Sequence, residues 1–456
     1  MAECYDVVVV GAGSAGCIAA IAAAREGAST ALVEKHAFVG GTPVVVGISS
    51  LAPFHFGDQQ VVTGIPQELV DRLVEAGGSL GHMKVQQEYG TGSYVCLFDR
   101  EIYKHVLLEM LAEARVHLWL HSQFIGVEKS GKRISTIVIS TPSGVERLEA
   151  KAFIDCTGDA LVATVSGCPV VVGRDVDGRV QPLTLMFEMA NVDVYALWEH
   201  ITRNMDDIEW WSLITPRRPV PSEFNPFFFV VQGFRKALAK HPQREHLGRN
   251  TLLLFTGLRK GVVSFNSTRV HVASPLSAKE LSQAEVQGRQ QAVILAEWLR
   301  KEFPGFDRAF LSWTGVAIGI RESRRIVGHY VLTADDICSG RTFPDSIAKG
   351  FFPIDIHDPL GKGGYTNGGS WVPLRATYDI PYRVLIPREA DNLLVAGRCI
   401  SATHEALGST RVAPCCMALG QAAGVAAALL AINNYRSTDL PVSLLQDRLR
   451  QSGQTF

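Results

Sequence analysis

Tyr5-Asp6-Val7-Val8-Val9-Val10-Gly11-Ala12-Gly13-Ser14-Ala15-Gly16 opens the chain, and Glu34 ends the next apolar run. Val7 to Val10 predict a parallel strand buried on both faces. The glycines after it have separate tasks. Gly11 makes the tight turn, Gly13 lets backbone approach a pyrophosphate, and Gly16 lets the next helix pack on the strand. An Ala-rich helix is predicted from Ser14 to Arg25, ended by Gly27, with free N–H groups and dipole facing the phosphates. Ala28 to Val33 predict a second strand, which places the Glu34 carboxylate where adenosine ribose hydroxyls bind. Three glycines alone would be a weak signal; strand, glycines, helix, strand and acid in order specify a dinucleotide site.

The 456 residues suit two or three folding units, and 47% apolar against 20% charged residues can bury a large core. A formal net charge of −1 gives no reason to expect nucleic acid or an anionic membrane as partner. The apolar N-terminus carries Glu3 and Asp6 rather than basic residues, so it reads as the strand and not as a signal peptide. Ala422 to Ile432 is too short for a membrane span. The expectation is a cytoplasmic protein with a small-molecule substrate, no nucleic acid and no membrane span, with homo-oligomerisation left open. Nine scattered cysteines without Cys-x-x-Cys spacing imply reduced thiols and no dithiol–disulfide or iron–sulfur chemistry. Adjacent Cys415 and Cys416 read as small residues on a packed helix. No His/Asp spacing supports a metal site.

Helices are predicted over Ile65 to Ala76 and Glu101 to Ala114, and a short strand over Leu118 to Leu120. Phe124 to Glu128, Ile134 to Ser140 and Val145 to Ala150 form an antiparallel meander joined by glycine turns. Phe153 to Cys156 is a further strand, ending in Thr157-Gly158-Asp159, where an α/β sheet binds ligand. From about Gly173 the texture changes to aromatics, prolines and mixed segments. Trp210, Trp211 and Phe227 to Phe229 read as packing in this middle stretch. Ser277-Ala278-Lys279-Glu280 is a capping box opening a long helix that Pro304 ends. Gly361-Lys362-Gly363-Gly364 and Gly368-Gly369 read as loops. The first texture returns with a strand over Asn392 to Ala396, then Gly397-Arg398, and a helix from about Gly408 to Ile432. Gly420 and Gly424 share one face of that helix and permit close packing.

These blocks, with Val39-Gly40-Gly41-Thr42, Asn392 to Arg398, Gly319 to Gly328 and Ile400 to Ala406, resemble the FAD dependent oxidoreductase family within the glutathione-reductase-like superfamily. Fumarate reductase and succinate dehydrogenase flavoproteins are more distant relatives. The resemblance covers most of the chain and is weakest from Val192 to Lys260. It implies an α/β fold: a split Rossmann-type FAD-binding domain with parallel central sheet and β-meander, plus an inserted α+β substrate domain. The units are 1–170 (FAD-binding, first part), 171–388 (substrate or cap) and 389–456 (completing strand and helix).

The resemblance implies FAD as cofactor. Gly11, Gly13, Ser14, Ala15 and Gly16 would hold the pyrophosphate, and Glu34 and Lys35 the adenosine ribose end. Gly41 and Thr42 would lie near the central phosphates or flavin, and Ile125 near adenine. Thr157, Gly158 and Asp159 would line the FMN half, and Gly397 and Arg398 the ribityl chain. The N–H groups at Val412 would face the flavin N1–C2=O, where a helix N-terminus stabilises the charge of reduction. His36 is a loop histidine in the region where some flavoproteins bond covalently to flavin. No second dinucleotide fingerprint is present, because Gly361-x-Gly363-Gly364 lacks a flanking strand and helix.

Flavin chemistry needs an aligned hydride and a group for the accompanying proton. His404 is the best-placed histidine, and Arg411 suits a substrate carboxylate or the flavin O2. Arg321, Arg324 and Arg325 with Glu322 form a charged run that the family pattern turns toward the flavin, though Glu–Arg pairing accounts for at least one arginine. His357 and Tyr382 are further proton-transfer candidates, and His55 and Asn266 candidate pocket residues. The function expected is a dehydrogenase or oxidase moving hydride between flavin and a small polar molecule at a C–OH or C–N bond. The alternatives are a reductase of an activated C=C bond or an electron-transfer flavoprotein subunit.

Overall fold

The computed structural model describes residues 3–89, 92–361 and 369–456. The chain is a mixed α/β fold around a seven-stranded central sheet. Its strands are β1 (Glu3–Val10), β2 (Thr30–Val33), β3 (His117–Trp119), β4 (Gln123–Ser130), β5 (Arg133–Thr141), β6 (Gly144–Asp155) and β7 (Leu393–Val395). The order is β3-β2-β1-β6-β5-β4, with β7 also on β6. Strands β3, β2, β1, β6 and β7 are mutually parallel where they pair, whereas β4, β5 and β6 form the expected antiparallel meander. The carboxyl ends of β1, β2, β6 and β7 therefore reach one edge of the sheet.

The meander's last strand and the next buried strand are one element. Strand β6 runs unbroken from Gly144 to Asp155, because Lys151-Ala152 carries no turn residue. Its first half pairs with β5 and its last three residues pair with β7. Asn392, fully buried, bridges the changeover: its amide donates to the Ile134 and Lys151 carbonyls at 2.8 and 2.9 Å and accepts from Ile134 N at 2.9 Å.

Two helices cover the sheet: α1 (Ser14–Arg25) and the C-terminal helix, which follows a shorter one over His404–Thr410 (α2) and spans Ala413–Asn433 (α3). A Cβ on Gly420 would lie 2.2 Å from the Ala15 carbonyl, and one on Gly424 2.2 Å from that of Ala19. Only glycine permits this backbone approach. The matched order also shows that α1 and α3 run parallel. The helix expected from about Gly408 to Ile432 is divided at Arg411–Val412, which leaves α3 to begin at Ala413. It is long and apolar enough to cross a membrane, with mean hydropathy 2.0 in its most apolar window, yet 94% of that window is buried inside the fold. Apolar residues on every face are what a core helix requires. Cys415 and Cys416 are buried on it as free thiols.

A second, nine-stranded antiparallel sheet takes strands from 187–314 and also Ser50–Leu51, Ser79–Tyr89 and Gly92–Phe98. These last three lie in the stretch read as the first unit, whose end at residue 170 is therefore not a boundary between the sheets. The hairpin joins the second sheet because Leu80, Met83 and Leu97 bury their side chains against Ile214 and Phe228. The aromatics serve packing: Trp198 contacts Trp211, Phe227 and Phe229 with ring centroids 5.0–5.6 Å apart. Helix Ala278–Glu302 is capped by Ser277, whose Oγ accepts from Glu280 N at 3.3 Å. The Glu280 carboxylate instead accepts from Ala273 N and Ser274 N, so the capping box is only half formed. Lys362 to Gly368 of the glycine-rich loop lie outside the described residues.

Candidate active site

Four loops meet at the carboxyl edge of the parallel strands. The first is Gly11–Gly13 after β1. A Cβ on Gly16 would lie 1.7 Å from the Gly11 carbonyl, so helix and turn touch as the motif requires. Gly41, at φ 59°, ψ −134°, brings its backbone against Gly13, where a Cβ would fall 2.5 Å from the Gly13 Cα. The two glycines form a wall without side chains. Gly11, Gly13, Ser14 and Gly41 are half-buried, while Ala15 and Gly16 are covered and Thr42 is exposed. Tyr103 packs beneath Gly40 with its hydroxyl fully buried.

After β2, the Glu34 carboxylate accepts from Ala12 N at 2.8 Å and His36 N at 2.9 Å. It ties the glycine turn to the loop after β2. Lys35 is exposed, and His36 stacks on Phe38 beside it. Ser122 N donates to the Glu34 carbonyl, which brings the start of β4, with half-exposed Ile125, to the same end.

After β6, fully buried Asp155 accepts from Thr157 N and Oγ1 and from Ala163 N at 2.7–3.0 Å. Burial raises its pKa, and these bonds oppose the rise. The Asp159 carboxylate accepts from Arg398 Nη2 at 2.7 Å and Ser323 Oγ at 2.6 Å. Gly158 lies against the Arg398 guanidinium, and Gly397 approaches Ala15. Arg324 does not join the other arginines: its Nε donates to the Asp159 carbonyl at 2.7 Å and braces this turn.

After β7 the chain enters α2 and α3. Val412 begins α3 with no side-chain cap, as Gly13 begins α1. Because Gly420 lies opposite Ala15, α3 starts about 9 Å before α1 along their shared direction, six residues at ~1.5 Å each. The residues at these two uncapped N-termini and at the strand ends beside them, Gly11, Gly13, Thr157, Gly158, Asp159, Arg398 and Val412, are all partly exposed.

Arg321, His357 and Arg411 do come together. Arg411 Nη2 donates to the Asp355 carboxylate at 2.7 Å, and His357 Nε2 lies 3.6 Å from the same oxygen. Arg269 Nη2 lies 3.3 Å from His357 Nδ1, and Arg321 Nη1 donates to the Pro182 carbonyl at 2.6 Å. Burial, with the Arg411 and Arg269 charges, pushes Arg321 down to about 9. Burial, with Arg321 and Arg269, holds His357 well below its ordinary value, so it is neutral. Asn266 adjoins through its carbonyl, which accepts from Arg249 Nη1 at 2.6 Å. Asp355, Arg269 and Arg249 were not singled out from the sequence, where they lie in separate segments without a motif.

Two candidates lie elsewhere. Tyr382 donates its hydroxyl to the Ser437 carbonyl at 3.1 Å inside the main core. His55 packs on His82 and Tyr94, with burial and Arg217 lowering it to about 4. His404 is buried on α2, paired through Nδ1 with Glu322 at 2.8 Å.

The profile of the family described as FAD dependent oxidoreductase matches residues 6–449. The chain belongs to this family. FAD is its cofactor, and the fit is visible in the structure: a side-chain-free wall at Gly13 and Gly41, an acid after β2, and two staggered, uncapped helix N-termini. Among curated relatives of this family member, digeranylgeranylglycerophospholipid reductase 1 of Methanococcoides burtonii is 31% identical over 131 residues, 28% of this chain and 31% of that protein. The chain thus matches about a third of that reductase's length. An uncharacterized protein in the nifH2 5′ region of Methanosarcina barkeri is 30% identical over 183 residues, 37% of this chain and 91% of that protein. A geranylgeranyl bacteriochlorophyll reductase-like structure from Thermoplasma acidophilum is 14% identical with a TM-score of 0.47, covering 99% of this chain and 83% of that one.

Proposed function

We propose that this FAD-dependent oxidoreductase moves a hydride between flavin and a small carboxylate-bearing substrate, at a C–OH or C–N bond. The observation that carries this reading is the convergence of Arg321, Arg269 and Arg411 on His357 and Asp355. Arg411 of this cluster lies one residue before Val412, the uncapped start of α3. Bound FAD supplies the hydride acceptor. The protein's part is recognition and placement. Gly11, Gly13, Ser14 and Gly41 would take the pyrophosphate by backbone, Glu34 and Ile125 the adenosine end, and Asp159, Gly397 and Arg398 the ribityl chain. Val412 N–H would face N1–C2=O.

Arg411 is held by only one of its faces: Nη2 bonds Asp355, while Nε is buried with no partner among the described residues. A guanidinium so placed has donors left for a carboxylate. Neutral His357 beside it can accept or donate a hydrogen bond without adding to the positive charge. The test is anaerobic flavin bleaching by lactate, malate and alanine against uncharged alcohols and simple amines. Bleaching by the carboxylates alone is expected, and equal bleaching by the neutral set would overturn the reading.

A second reading, reduction of an activated C=C bond, is favoured by the partial likeness to the Methanococcoides burtonii reductase. Mixing photoreduced enzyme with unsaturated carboxylic acids distinguishes it, because only a C=C reductase reoxidises its flavin on them without oxygen.

A further inference from the structure

We propose that Glu322 is a positioning residue for proton transfer, holding His404 by Nδ1 so that Nε2 is the nitrogen that exchanges the proton. This rests on the reading of the site as one that oxidises a C–OH or C–NH group. Glu322 is fully buried. One carboxylate oxygen binds Arg325 Nη1 at 2.5 Å and His404 Nδ1 at 2.8 Å, and the other accepts from Gln181 N at 3.2 Å. Arg325 is itself fixed by the Ala402 and Gly173 carbonyls, each at 2.9 Å. The carboxylate therefore has one resting position.

A carboxylate accepts hydrogen bonds and never donates, so Nδ1 carries a proton and Nε2 is left as the ring nitrogen free to exchange one. That nitrogen is buried and has no partner among the described residues. Beside the dyad, Gln181 Nε2 is buried and also lacks a partner, while Gln181 Oε1 accepts from His357 N at 3.2 Å. Gln181 thus joins the Glu322–His404 dyad to the arginine cluster. His404 Nε2 and Gln181 Nε2 thus belong to two residues that share Glu322, and buried polar atoms without partners mark a position for substrate or water, since vacancy would leave them desolvated without compensation.

The charged groups around His404 are Glu322 and Arg325 on one side. Asp355 and His357 belong to the strand packed on α2, and Asp335 and Asp336 to the neighbouring helix, Asp336 being bound to Arg341. When the substrate is oxidised, two electrons leave its carbon with the hydride to FAD, and the O–H or N–H proton passes to Nε2. The imidazolium so formed keeps its Nδ1–H on Glu322, next to negative charge.

The test uses FAD-loaded protein with ¹⁵N-labelled histidine, the His404 resonances being assigned by their loss in H404N. In the neutral form of the ring the proton is expected on Nδ1 and not on Nε2, and the opposite tautomer overturns the proposal. Flavin reduction by lactate, malate and alanine is then followed against pH. In E322Q the rate should fall about ten- to hundredfold, with its acid limb moved to lower pH and flavin content unchanged. E322D, which keeps a charge for Arg325, should recover part of the rate and covers the case that E322Q does not fold. An unaltered profile in both variants also overturns the proposal. If no donor bleaches wild-type flavin, the oxidative reading fails, while the tautomer still decides the role of Glu322.

Discussion

Arg411 and Asp355 form an ion pair at 2.7 Å just before α3 begins, and the pair leaves Arg411 Nε buried without a partner among the described residues. The two residues should therefore act with opposite signs on anion binding. Arg411→Met removes a charged donor worth about 1.5–3 kcal/mol, so KM for a carboxylate donor should rise roughly ten- to hundredfold. Asp355→Asn frees the guanidinium and should tighten binding of a competing carboxylate. Steady-state KM and inhibition constants measure both, and shifts of the same sign would exclude the carboxylate role.

Glu34 accepts from Ala12 N and His36 N, and in the proposed reading this organises the adenosine end. Glu34→Ala leaves the buried Ala12 N and the part-buried His36 N without their acceptor, at about 1–3 kcal/mol. FAD affinity should drop about tenfold or more in a flavin-fluorescence titration of apoprotein. Unchanged affinity would mean that the ribose is held elsewhere.

Gly420→Ala places a methyl group 2.2 Å from the Ala15 carbonyl. Because both neighbours are helix backbone, the strain should cost about 1–3 kcal/mol. As α1 carries the phosphate-facing end, flavin should be released at lower temperature on heating. Gly126→Ala is the comparison: its Cβ meets Val138 at an ordinary 3.7 Å, and its effect should stay within about 0.5 kcal/mol.

Burial keeps His55 and His82 neutral to about pH 4, with Arg217 adding to the effect at both and His55 at His82. His357 is held neutral further still. Each takes up a proton on unfolding once the pH is below its ordinary value near 6.5, so stability should fall from pH 6.5 toward 4. Urea unfolding across that range should show a shallower fall for His55→Gln and His82→Gln. An identical slope in both would place the lost stability in other groups.

The sequence was legible wherever function is carried by backbone. The turn Gly11 to Gly16, the acid at Glu34, the strand end at Thr157 to Asp159 and the Gly420/Gly424 face lie in short continuous segments, and each is a local conformational demand. The four-residue run Glu322 to Arg325 was legible as charge but not as geometry. Alternate residues of its short strand face different partners, so Arg324 braces Asp159 while Arg325 pairs with Glu322. The strands Ser79–Tyr89 and Gly92–Phe98 are not legible in the sequence because the first acquires its outer partner from Ile208–Thr215, more than a hundred residues later.

By itself, then, the sequence determined that a dinucleotide is held, because the signal for that task needs only glycine, a helix start and one acid in fixed order. Tertiary structure alone decided which charges meet. Asp355, His357, Arg411, Arg269 and Arg321 come from four segments, and no local spacing encodes their contact. Their protonation is equally a property of the fold: only burial beside one another pushes Arg321 down and keeps His357 neutral.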